Sequence, residues 1–400
     1  MISVEEASQL ILDAIEPAGS ETVPLSAASG RVLRQSVVAE RDQPPFDRVM
    51  MDGIALSFDE FNAGSRSFKV QSTQHAGDER QSLDAGHAIE IMTGASLPEN
   101  ADLIVPVERI TVNEHGAHVE ANYEGKRRQF VHARGSDHAK GTELLKPGTR
   151  VTPMDVAILA SAGLAEVEVA KQSTIRVIST GNELVPAGEP IADHQVRLSN
   201  GPAIVAMLEA HGYEDASHDH LADDPKLLEA RIAEHLEAAD VLVLSGGVSM
   251  GKADFVPQVL KDLGVEVIFH KITQRPGKPM WFGKGKNGQF VFALPGNPVS
   301  TLVCCRQYVV PALRDIDGEP PPRKVFASLT QAVTFKPRLT NFLPVRLVSN
   351  TSAQLLAMPA PTNTSGDFAA LSGTDGYVVL NRIQTQFDAG AVVPFVRWTG

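Results

Sequence analysis

The chain has 400 residues, of which 43% are hydrophobic and 21% are charged, a composition typical of a soluble globular protein. Its length predicts about two to four domains. Its formal net charge of −12 argues against broad binding to nucleic acids or anionic membranes, because both need a basic surface.

The N-terminal segment predicts an amphipathic helix. Apolar residues recur at helical spacing between Val4 and Ile15, and Ser3 followed by Glu6 resembles a capping box. The segment lacks the basic start and unbroken apolar core of a signal peptide. No segment elsewhere is long and apolar enough to span a bilayer, so we expect no membrane partner.

The two cysteines, Cys304 and Cys305, are adjacent and lie in an apolar helical stretch. Neighbouring residues rarely satisfy disulfide geometry, and two cysteines are too few for a Cys-based metal site. We interpret them as core thiols, which predicts a cytoplasmic protein in a reducing compartment.

Residues 22–169 predict one or two small β domains, because short apolar runs alternate with Gly- and Pro-containing turn signals. Strands are expected near residues 68–71, 88–92 and 103–107. Beyond a Pro-rich linker at residues 319–323, a second β-rich segment predicts a small barrel or sandwich.

Residues 171–318 show a different pattern, in which predicted strands alternate with predicted helices. This order is typical of parallel βαβ units. Strands are expected at residues 175–178, 241–244, 265–269 and 290–294. Helices are expected at residues 202–210, 223–237, 255–263 and from 297 towards 313.

Three loops rich in small residues follow strands of this segment, at residues 179–183, 245–251 and 295–300. Such loops let backbone N–H groups approach an anion, and parallel sheets bind ligands at their carboxyl edge. Taken alone, the second loop is equally well a structural turn, because it matches neither a Walker A loop nor a dinucleotide fingerprint. The predicted anion-contacting residues are Ser179, Thr180, Gly181, Ser245, Gly246, Gly247, Ser249, Gly251, Pro295, Gly296 and Asn297.

Charged residues accompany these loops. Arg275 and Lys278 flank a Pro-Gly turn that restricts the backbone and presents two cations to an oxyanion, although an ordinary solvated turn is the alternative. Asp254 follows the second loop, where a carboxylate fits Mg²⁺ bound to phosphate or, alternatively, a helix-end charge.

Two further clusters have structural alternatives. Residues 44–53 and 93–95 contain Asp, Gly and Thr without a clean period, and they are equally typical of buried turns. His218 and His220 have metal-like spacing around Asp219, but we expect a polar loop in which they form a solvated cluster.

In their order along the chain, these motifs resemble the molybdopterin molybdenumtransferase family, of the MoeA and gephyrin E-domain type. Each motif is weak alone, whereas the ordered set is highly specific. The matching stretches are residues 45–53, 91–95, 179–184, 245–251, 276–279 and 294–300.

The resemblance implies a multidomain α/β plus β fold. Its central α/β domain, with a parallel or mixed sheet and a molybdopterin-binding role, would cover residues 171–318. Residues 1–43 with 145–170 would form an elongated N-terminal domain, residues 44–144 an inserted β-rich domain, and residues 319–400 a small C-terminal β-barrel.

The resemblance also implies a reaction. Adenylylated molybdopterin and molybdate bind, the pyrophosphate bond is hydrolysed with Mg²⁺, AMP leaves, and molybdenum enters the dithiolene. A homodimer is implied, with each active site between the α/β domain of one subunit and the N-terminal β region of the other.

The resemblance assigns roles to individual residues. The catalytic residues implied are Asp52, Thr93, Asp137, Glu183, Asp254 and Lys278. Those implied to bind molybdate are Arg275, Lys278, Ser300, Arg338 and Ser365. The Mg²⁺ ligands implied are drawn from Glu183, Asp223, Asp224 and Asp254.

Two other functions remain open at this point. One is a molybdopterin adenylyltransferase, whose α/β domain is similar, although the added β domains argue against it. The other is a non-catalytic scaffold of the gephyrin type, which no extra linker or tail supports. Expected protein partners are a molybdopterin adenylyltransferase and molybdoenzyme maturation proteins.

Overall fold

The N-terminal part of the chain is built mainly from short strands. The computed structural model describes residues 1–247 and 255–399. The helices of this part are α1 (Val4–Ala14), α2 (Phe58–Asn62) and α3 (Pro153–Ser161). Its strands are β1 (Ser20–Pro24), β2 (Val37–Val38), β3 (Arg48–Val49), β4 (Gly53–Leu56), β5 (Ser67–Gln74), β6 (His87–Ile91), β7 (Leu103–Pro106), β8 (Ile110–Asn113), β9 (Gly116–Val119), β10 (Val131–His132), β11 (Glu143–Leu145) and β12 (Glu166–Ala170).

Helix α1 begins with the predicted capping box. The Ser3 hydroxyl accepts from the Glu6 N–H, and the Glu6 carboxylate accepts from the Ser3 N–H at 2.6 Å. The buried face of the helix packs into a core formed mainly by the α/β unit, which comprises the strands and helices between residues 175 and 316. Just before it, the Ile2 carbonyl accepts from the Thr273 N–H at 2.8 Å. This hydrogen bond places the start of α1 next to the turn that carries Arg275.

Long-range pairing organises the rest of this part. Strands β1 and β12 pair antiparallel, as do β2 and β11, and both pairs join the start of the chain to residues 143–170. Between them, a six-stranded sheet has the order β7-β4-β6-β5-β9-β8. Its strands β5, β6 and β7 confirm the three strands predicted in this region.

The middle of the chain alternates strands and helices. Its helices are α4 (Asn200–Glu209), α5 (Pro225–Ala238), α6 (Val256–Asp262), α7 (Pro298–Cys304) and α8 (Val310–Ile316), with a π-helical turn at Cys305–Val309. Its strands are β13 (Ile175–Thr180), β14 (Leu184–Val185), β15 (Val196–Arg197), β16 (Ser217–Leu221), β17 (Val241–Ser245), β18 (Glu266–His270), β19 (Gln274–Arg275), β20 (Trp281–Lys284) and β21 (Phe290–Leu294).

The main sheet of this α/β unit is mixed, in the order β16-β13-β17-β21-β20-β18. The first four strands run parallel, whereas β20 and β18 are antiparallel to their neighbours. Buried residues of α4, α7 and α8 pack on one face, and those of α5 and α6 pack on the other. The carboxyl ends of β13, β17 and β21 therefore lie side by side.

The adjacent cysteines lie where α7 passes into the π-helical turn. Both are free and fully buried, which confirms that they are core thiols. Burial raises the pKa of the Cys305 thiol to about 12. The thiol is therefore protonated and unreactive at neutral pH.

The C-terminal part confirms the small β-barrel. Strands β24, β25, β22, β28 and β26 form a closed ring, since β26 pairs again with β24. The strands of this part are β22 (Val325–Leu329), β23 (Val333–Thr334), β24 (Thr340–Ser349), β25 (Leu355–Pro359), β26 (Gly376–Leu380), β27 (Gln386–Phe387) and β28 (Val392–Arg397).

Specific contacts join the three parts. Strand β19 pairs in parallel with β24, so that Arg275 lies opposite Asn341 of the barrel. On the N-terminal side, the half-buried Arg150 guanidinium donates to the Glu319 carboxylate at 2.9 Å. The α/β unit is thus held between two β-rich parts. Nowhere in residues 1–247 or 255–399 is there a helix both long and apolar enough to cross a membrane.

Candidate functional site

A cleft of about 750 Å³ opens where the parallel strands of the α/β sheet end. Its walls include the ends of β13, β17 and β21 and the start of α4, which is the edge at which open α/β sheets bind ligands. The predicted residues that line it are Ser179, Thr180, Glu183, Asp223, Ser245, Gly246, Gly247, Pro295, Gly296 and Asn297. The structure therefore brings the three predicted loops together, as far as it describes them.

Asn200, the first residue of α4, links two of these loops. Its amide Nδ2 donates to Ser245 Oγ at 2.9 Å and to the Gly296 carbonyl at 2.7 Å. One side chain thus fixes the spacing between the loop after β17 and the loop after β21. No local sequence pattern marks Asn200, because its contacts come from residues 45 and 96 positions away.

Glycine is required where the loop after β17 crosses the end of β13. Gly246 has φ +100°, and a Cβ there would come within 2.5 Å of the Thr180 carbonyl oxygen. The next residue, Gly247, lies against Thr180 Oγ1. This hydroxyl is buried and has no hydrogen-bond partner among the described residues. The cleft wall therefore contains a buried hydroxyl that no described residue uses as a hydrogen-bond partner.

Two carboxylates, Glu183 and Asp223, line the same cleft. The Asp223 N–H donates to Asn182 Oδ1 at 3.0 Å, which ties the loop after β13 to the start of α5. Asp224 caps α5, and its carboxylate accepts from the Leu227 N–H at 2.8 Å. The predicted residues Ser249, Gly251 and Asp254 lie outside the described residues. Within the described ranges, no three acidic, His or Cys side chains form a metal-binding group.

A second cleft, of about 690 Å³, adjoins the first between the α/β unit and the barrel. Pro279 and Asn297 line both clefts. The predicted oxyanion residues that line the second cleft are Arg275, Lys278, Ser300 and Ser365. The two predicted anion sites are therefore adjacent.

A buried glutamine holds the turn that carries the two cations. Gln274 is fully buried, and its Nε2 donates to the Gly277 carbonyl at 3.2 Å. Its Oε1 in turn accepts from the Tyr308 hydroxyl. This network fixes the peptide before Lys278 against α7 and the π-helical turn. This network is not predictable from the sequence, since a glutamine in a short strand gives no signal of such partners.

The barrel contributes Ser365 to the second cleft. Asn297 Nδ2 donates to Ser365 Oγ at 2.9 Å, and the Ser365 carbonyl accepts from the Val299 N–H at 3.0 Å. Asn297 occupies the N-cap position of α7, but its side chain makes this contact instead of a cap bond. Arg338 is exposed and is not among the described residues that line the second cleft, although its neighbour Leu339 is.

The predicted N-terminal residues lie apart from both clefts. Asp52 accepts from the Thr93 N–H at 2.6 Å and from its hydroxyl at 2.7 Å, and these bonds lower the pKa of the Asp52 carboxyl. Asp137 accepts from His132 Nε2 at 3.0 Å. None of Asp52, Thr93 and Asp137 belongs to the described lining of either cleft.

The expectation that His218, Asp219 and His220 lie in a polar loop is wrong. They form strand β16, which pairs in parallel with β13 at the edge of the main sheet. Asp219 accepts from Arg231 and His235 of α5, at 2.8 and 2.9 Å. In sequence, the polar residues of this edge strand resemble a solvated loop. The hydrogen-bond partners that distinguish them lie on other elements, which the local sequence does not show.

Three family models match successive parts of the chain. They are the MoeA N-terminal region (domain I and II) at residues 2–163, a probable molybdopterin binding domain at residues 176–315, and the MoeA C-terminal region (domain IV) at residues 327–398. A molybdopterin molybdenumtransferase of Synechocystis is 38% identical over 404 residues, covering 100% of both chains. The chain belongs to the molybdopterin molybdenumtransferase family.

Other members of this family show the same full-length similarity. The molybdopterin molybdenumtransferase of Staphylococcus aureus strain MRSA252 is 31% identical and covers 99% of this chain and 95% of its own. A crystal structure of a molybdopterin biosynthesis MoeA protein from Pyrococcus horikosii superimposes with a TM-score of 0.82 at 31% identity, covering 100% of both chains. The chain is therefore a transferase of molybdenum cofactor biosynthesis, and its relatives share the flanking β-rich parts as well as the α/β unit.

Proposed function

We propose that this transferase binds adenylylated molybdopterin and molybdate in the two adjacent clefts, and that it hydrolyses the pyrophosphate bond of adenylylated molybdopterin. The observation that carries this proposal is that both clefts meet at Pro279 and Asn297. The first cleft has small loops suited to phosphate, and the second has cations suited to an oxyanion. Two anionic substrates would thus lie next to each other.

Local charge makes this binding feasible in an acidic protein. The chain has a net charge of −12, which repels polyanions at long range. Arg275 and Lys278 both face the second cleft and offset this repulsion there. Arg275 can donate in a fork to two oxygens of a tetrahedral anion, whereas Lys278 acts as a point charge. The buried hydroxyl-bearing residue Ser300 lines the same cleft and supplies a neutral donor.

The donor set of the first cleft fits Mg²⁺. Glu183 and Asp223 would hold it, since Mg²⁺ in phosphate-transfer sites takes one or two carboxylates together with substrate phosphates. One carboxylate oxygen of Asp224 accepts the hydrogen bond that caps α5. Asp254 is proposed as a further Mg²⁺ ligand from its position in the sequence motif. Bound Mg²⁺ would neutralise charge that develops on the pyrophosphate oxygens during hydrolysis.

The hydrolysis needs a water molecule and an acceptor for its proton. Asp52 is suited to orient this water, because two bonds from Thr93 fix its carboxylate and keep it ionised at neutral pH. The water oxygen bonds to phosphorus, the bond from phosphorus to the bridging oxygen breaks, and AMP leaves, while the water proton passes by way of the Asp52 carboxylate to the leaving phosphate oxygen. Since Asp52, Thr93 and Asp137 lie apart from both clefts, we assign them to the site of the other subunit in a homodimer.

The proposed organisation follows from these roles. The α/β unit at residues 171–318 carries the two anion sites, residues 44–144 close the partner's site, and the barrel at residues 319–400 supplies Ser365. Residues 1–43 with 145–170 join the inserted part to the α/β unit. We place the reaction in the cytoplasm, where an adenylyltransferase would supply the substrate and maturation proteins would receive the product.

Release of AMP tests this function directly. The purified chain is mixed with adenylylated molybdopterin and Mg²⁺, and AMP is measured with and without molybdate. We expect molybdate to stimulate release, and Lys278→Ala to slow it roughly 10- to 100-fold, because a hydrogen bond to a charged group contributes about 1.5–3 kcal/mol. The matched control is Lys324→Ala, which removes an exposed lysine from the linker to the barrel.

Two results would contradict the proposal. One is binding of the pterin without any molybdate-stimulated release of AMP. The other is equal loss of activity in both lysine variants, which would show that the charge at Lys278 has no particular role.

A further inference from the structure

The edge strand β16 contacts the floor of the first cleft through two histidines. His218 Nε2 lies 3.0 Å from Ser179 Oγ, and His220 Nε2 lies 2.9 Å from the Gly181 carbonyl oxygen. Ser179 and Gly181 bracket Thr180, whose buried hydroxyl faces the glycines after β17. The histidines thus hold both ends of a segment that contributes Ser179 and Thr180 to the cleft wall.

The strand itself is held from its other side. Asp219 points away from the two histidines, towards α5, where Arg231 and His235 donate to its carboxylate. The register places His220 opposite Ser179 and Asp219 opposite Ile178. Contacts on both faces therefore stabilise the strand, whereas the imidazoles themselves are held directly by Ser179 and the Gly181 carbonyl.

The His218 ring packs closely against the backbone of Gly201, where there is no room for a side chain. A Cβ on Gly201, in the first turn of α4, would come within 2.0 Å of His218 Nε2. Burial lowers the pKa of His218, and the nearby His220 lowers it further. The neutral ring is thus favoured at neutral pH, and it forms one hydrogen bond with the Ser179 hydroxyl. The other hydrogen-bonding positions of that hydroxyl remain for a ligand in the cleft.

His220 acts on the backbone. The C=O and N–H of a trans peptide point in opposite directions, so fixing the Gly181 carbonyl towards His220 turns the Asn182 N–H away from β16. The side chain of Asn182 is fixed as well, since its Oδ1 accepts from the Asp223 N–H. The segment between Ser179 and Glu183 is therefore oriented before any ligand arrives.

We propose that His218 and His220 are positioning residues, which orient the Ser179 hydroxyl and the Gly181–Asn182 peptide for the phosphate groups of the substrate. This inference rests on the proposed function, and it gives the two histidines a role in binding rather than in metal ligation. Preorganised donors bind an anion more tightly, because less ordering is needed when it arrives.

The experiment measures the dissociation constant of adenylylated molybdopterin without molybdate. We expect His218→Leu to weaken binding roughly fivefold to tenfold, the effect of losing one well-placed hydrogen bond. His218→Gln keeps a polar nitrogen near the position of Nε2 and should restore most of the affinity. Gly201→Ala keeps the histidine but displaces it, and should weaken binding in the same direction.

His235→Gln is the matched control, because it loosens the opposite face of β16 and touches no cleft residue among its described contacts. It should lower the melting temperature and leave the dissociation constant unchanged. Equal affinity of wild type and His218→Leu would overturn the inference, as would equal weakening by Leu and Gln. Since AMP release is a separate assay, a wild-type protein that binds the pterin but releases no AMP contradicts the proposed function alone.

Discussion

Gly277 separates the two cations of the second cleft and has a backbone conformation that favours glycine. Its φ is +90°, and a Cβ there would come within 2.3 Å of Cys304 Sγ and 2.7 Å of Gln274 Nε2. The Pro-Gly pair marks a turn in sequence. The tight fit against α7 cannot be read from it, because Cys304 lies 27 residues further along the chain.

Gly277→Ala should therefore destabilise the protein and weaken the oxyanion site. Gly288→Ala is the matched control, since Gly288 has φ +91° but a Cβ added there would meet nothing within 4 Å. The control should cost about 1–2 kcal/mol of backbone strain. Gly277→Ala should cost about 1–3 kcal/mol more, because the added methyl group overpacks a buried site.

Urea unfolding measures both free energies, and AMP release measures the site. Equal destabilisation by the two substitutions would show that Cys304 and Gln274 move to accommodate the added methyl group with no loss of free energy of unfolding.

At the scale of helices and strands, the sequence predicts the elements whose determining residues lie within or next to the element itself. The capping box of α1 and the proline at the start of α5 lie within their own helices, and both helices form as expected. Strand β16 was missed because Asp219 is satisfied by α5 and the histidines by β13 and the loop after it. A polar strand of this kind becomes recognisable only when its neighbours are in place.

The C-terminus of α4 is joined to the barrel and to α8 by one buried imidazole. His211 Nε2 donates to the Trp398 carbonyl at 3.0 Å, and Arg314 Nη2 lies 3.4 Å from its Nδ1. These contacts fit a neutral ring with the proton on Nε2. Burial, together with the nearby Arg306 charge, lowers the pKa of His211 to about 4.

Protonation of His211 should lower the free energy of unfolding as the pH falls. Because the folded pKa of His211 is depressed from 6.5 to about 4, the unfolded chain binds the proton more readily between these values. The contribution is fully present above about pH 6.5 and is lost progressively as the pH falls towards 4. At pH 5 the loss is about 2 kcal/mol.

His211→Gln, which cannot be protonated in this range, isolates the effect from other acid-sensitive groups. The difference in free energy of unfolding between wild type and variant, measured by urea at pH 7.5 and pH 5, should shift by about 2 kcal/mol in favour of the variant at pH 5. A constant difference would show that the folded protein accommodates a charged His211.

At the scale of the whole molecule, the family resemblance carried by the ordered motifs implied the multidomain α/β plus β fold, and the pattern of loops at strand ends predicted that these loops meet. The loops meet because each follows one of the parallel strands of the mixed sheet, which aligns the carboxyl ends of those strands. Contacts between segments far apart in the sequence were not predictable. Residues such as Asn200 and Gln274 act across distances in sequence that no local pattern spans, and the pairing of Arg275 with Asn341 requires a closed barrel.

The separation of Asp52 from the two clefts leads to a prediction about assembly. If each site combines Asp52 of one subunit with Lys278 of the other, Asp52→Asn and Lys278→Ala should each be nearly inactive alone but should complement each other. A mixed dimer then contains one site with both native residues and one site with neither. Random exchange makes about half of the dimers mixed, so about a quarter of the wild-type activity should return.

The two variants are purified separately, mixed under conditions that allow subunit exchange, and assayed for release of AMP. The Asp52→Asn, Lys278→Ala double variant mixed with either single variant is the control, because no exchange between those chains restores a complete site. Recovery of activity in the first mixture alone requires that a site draw on two chains. If the first mixture gains no activity although a tagged-subunit assay shows exchange, then Asp52 and Lys278 serve the same chain, and the proposed closure of each site by the second subunit is wrong.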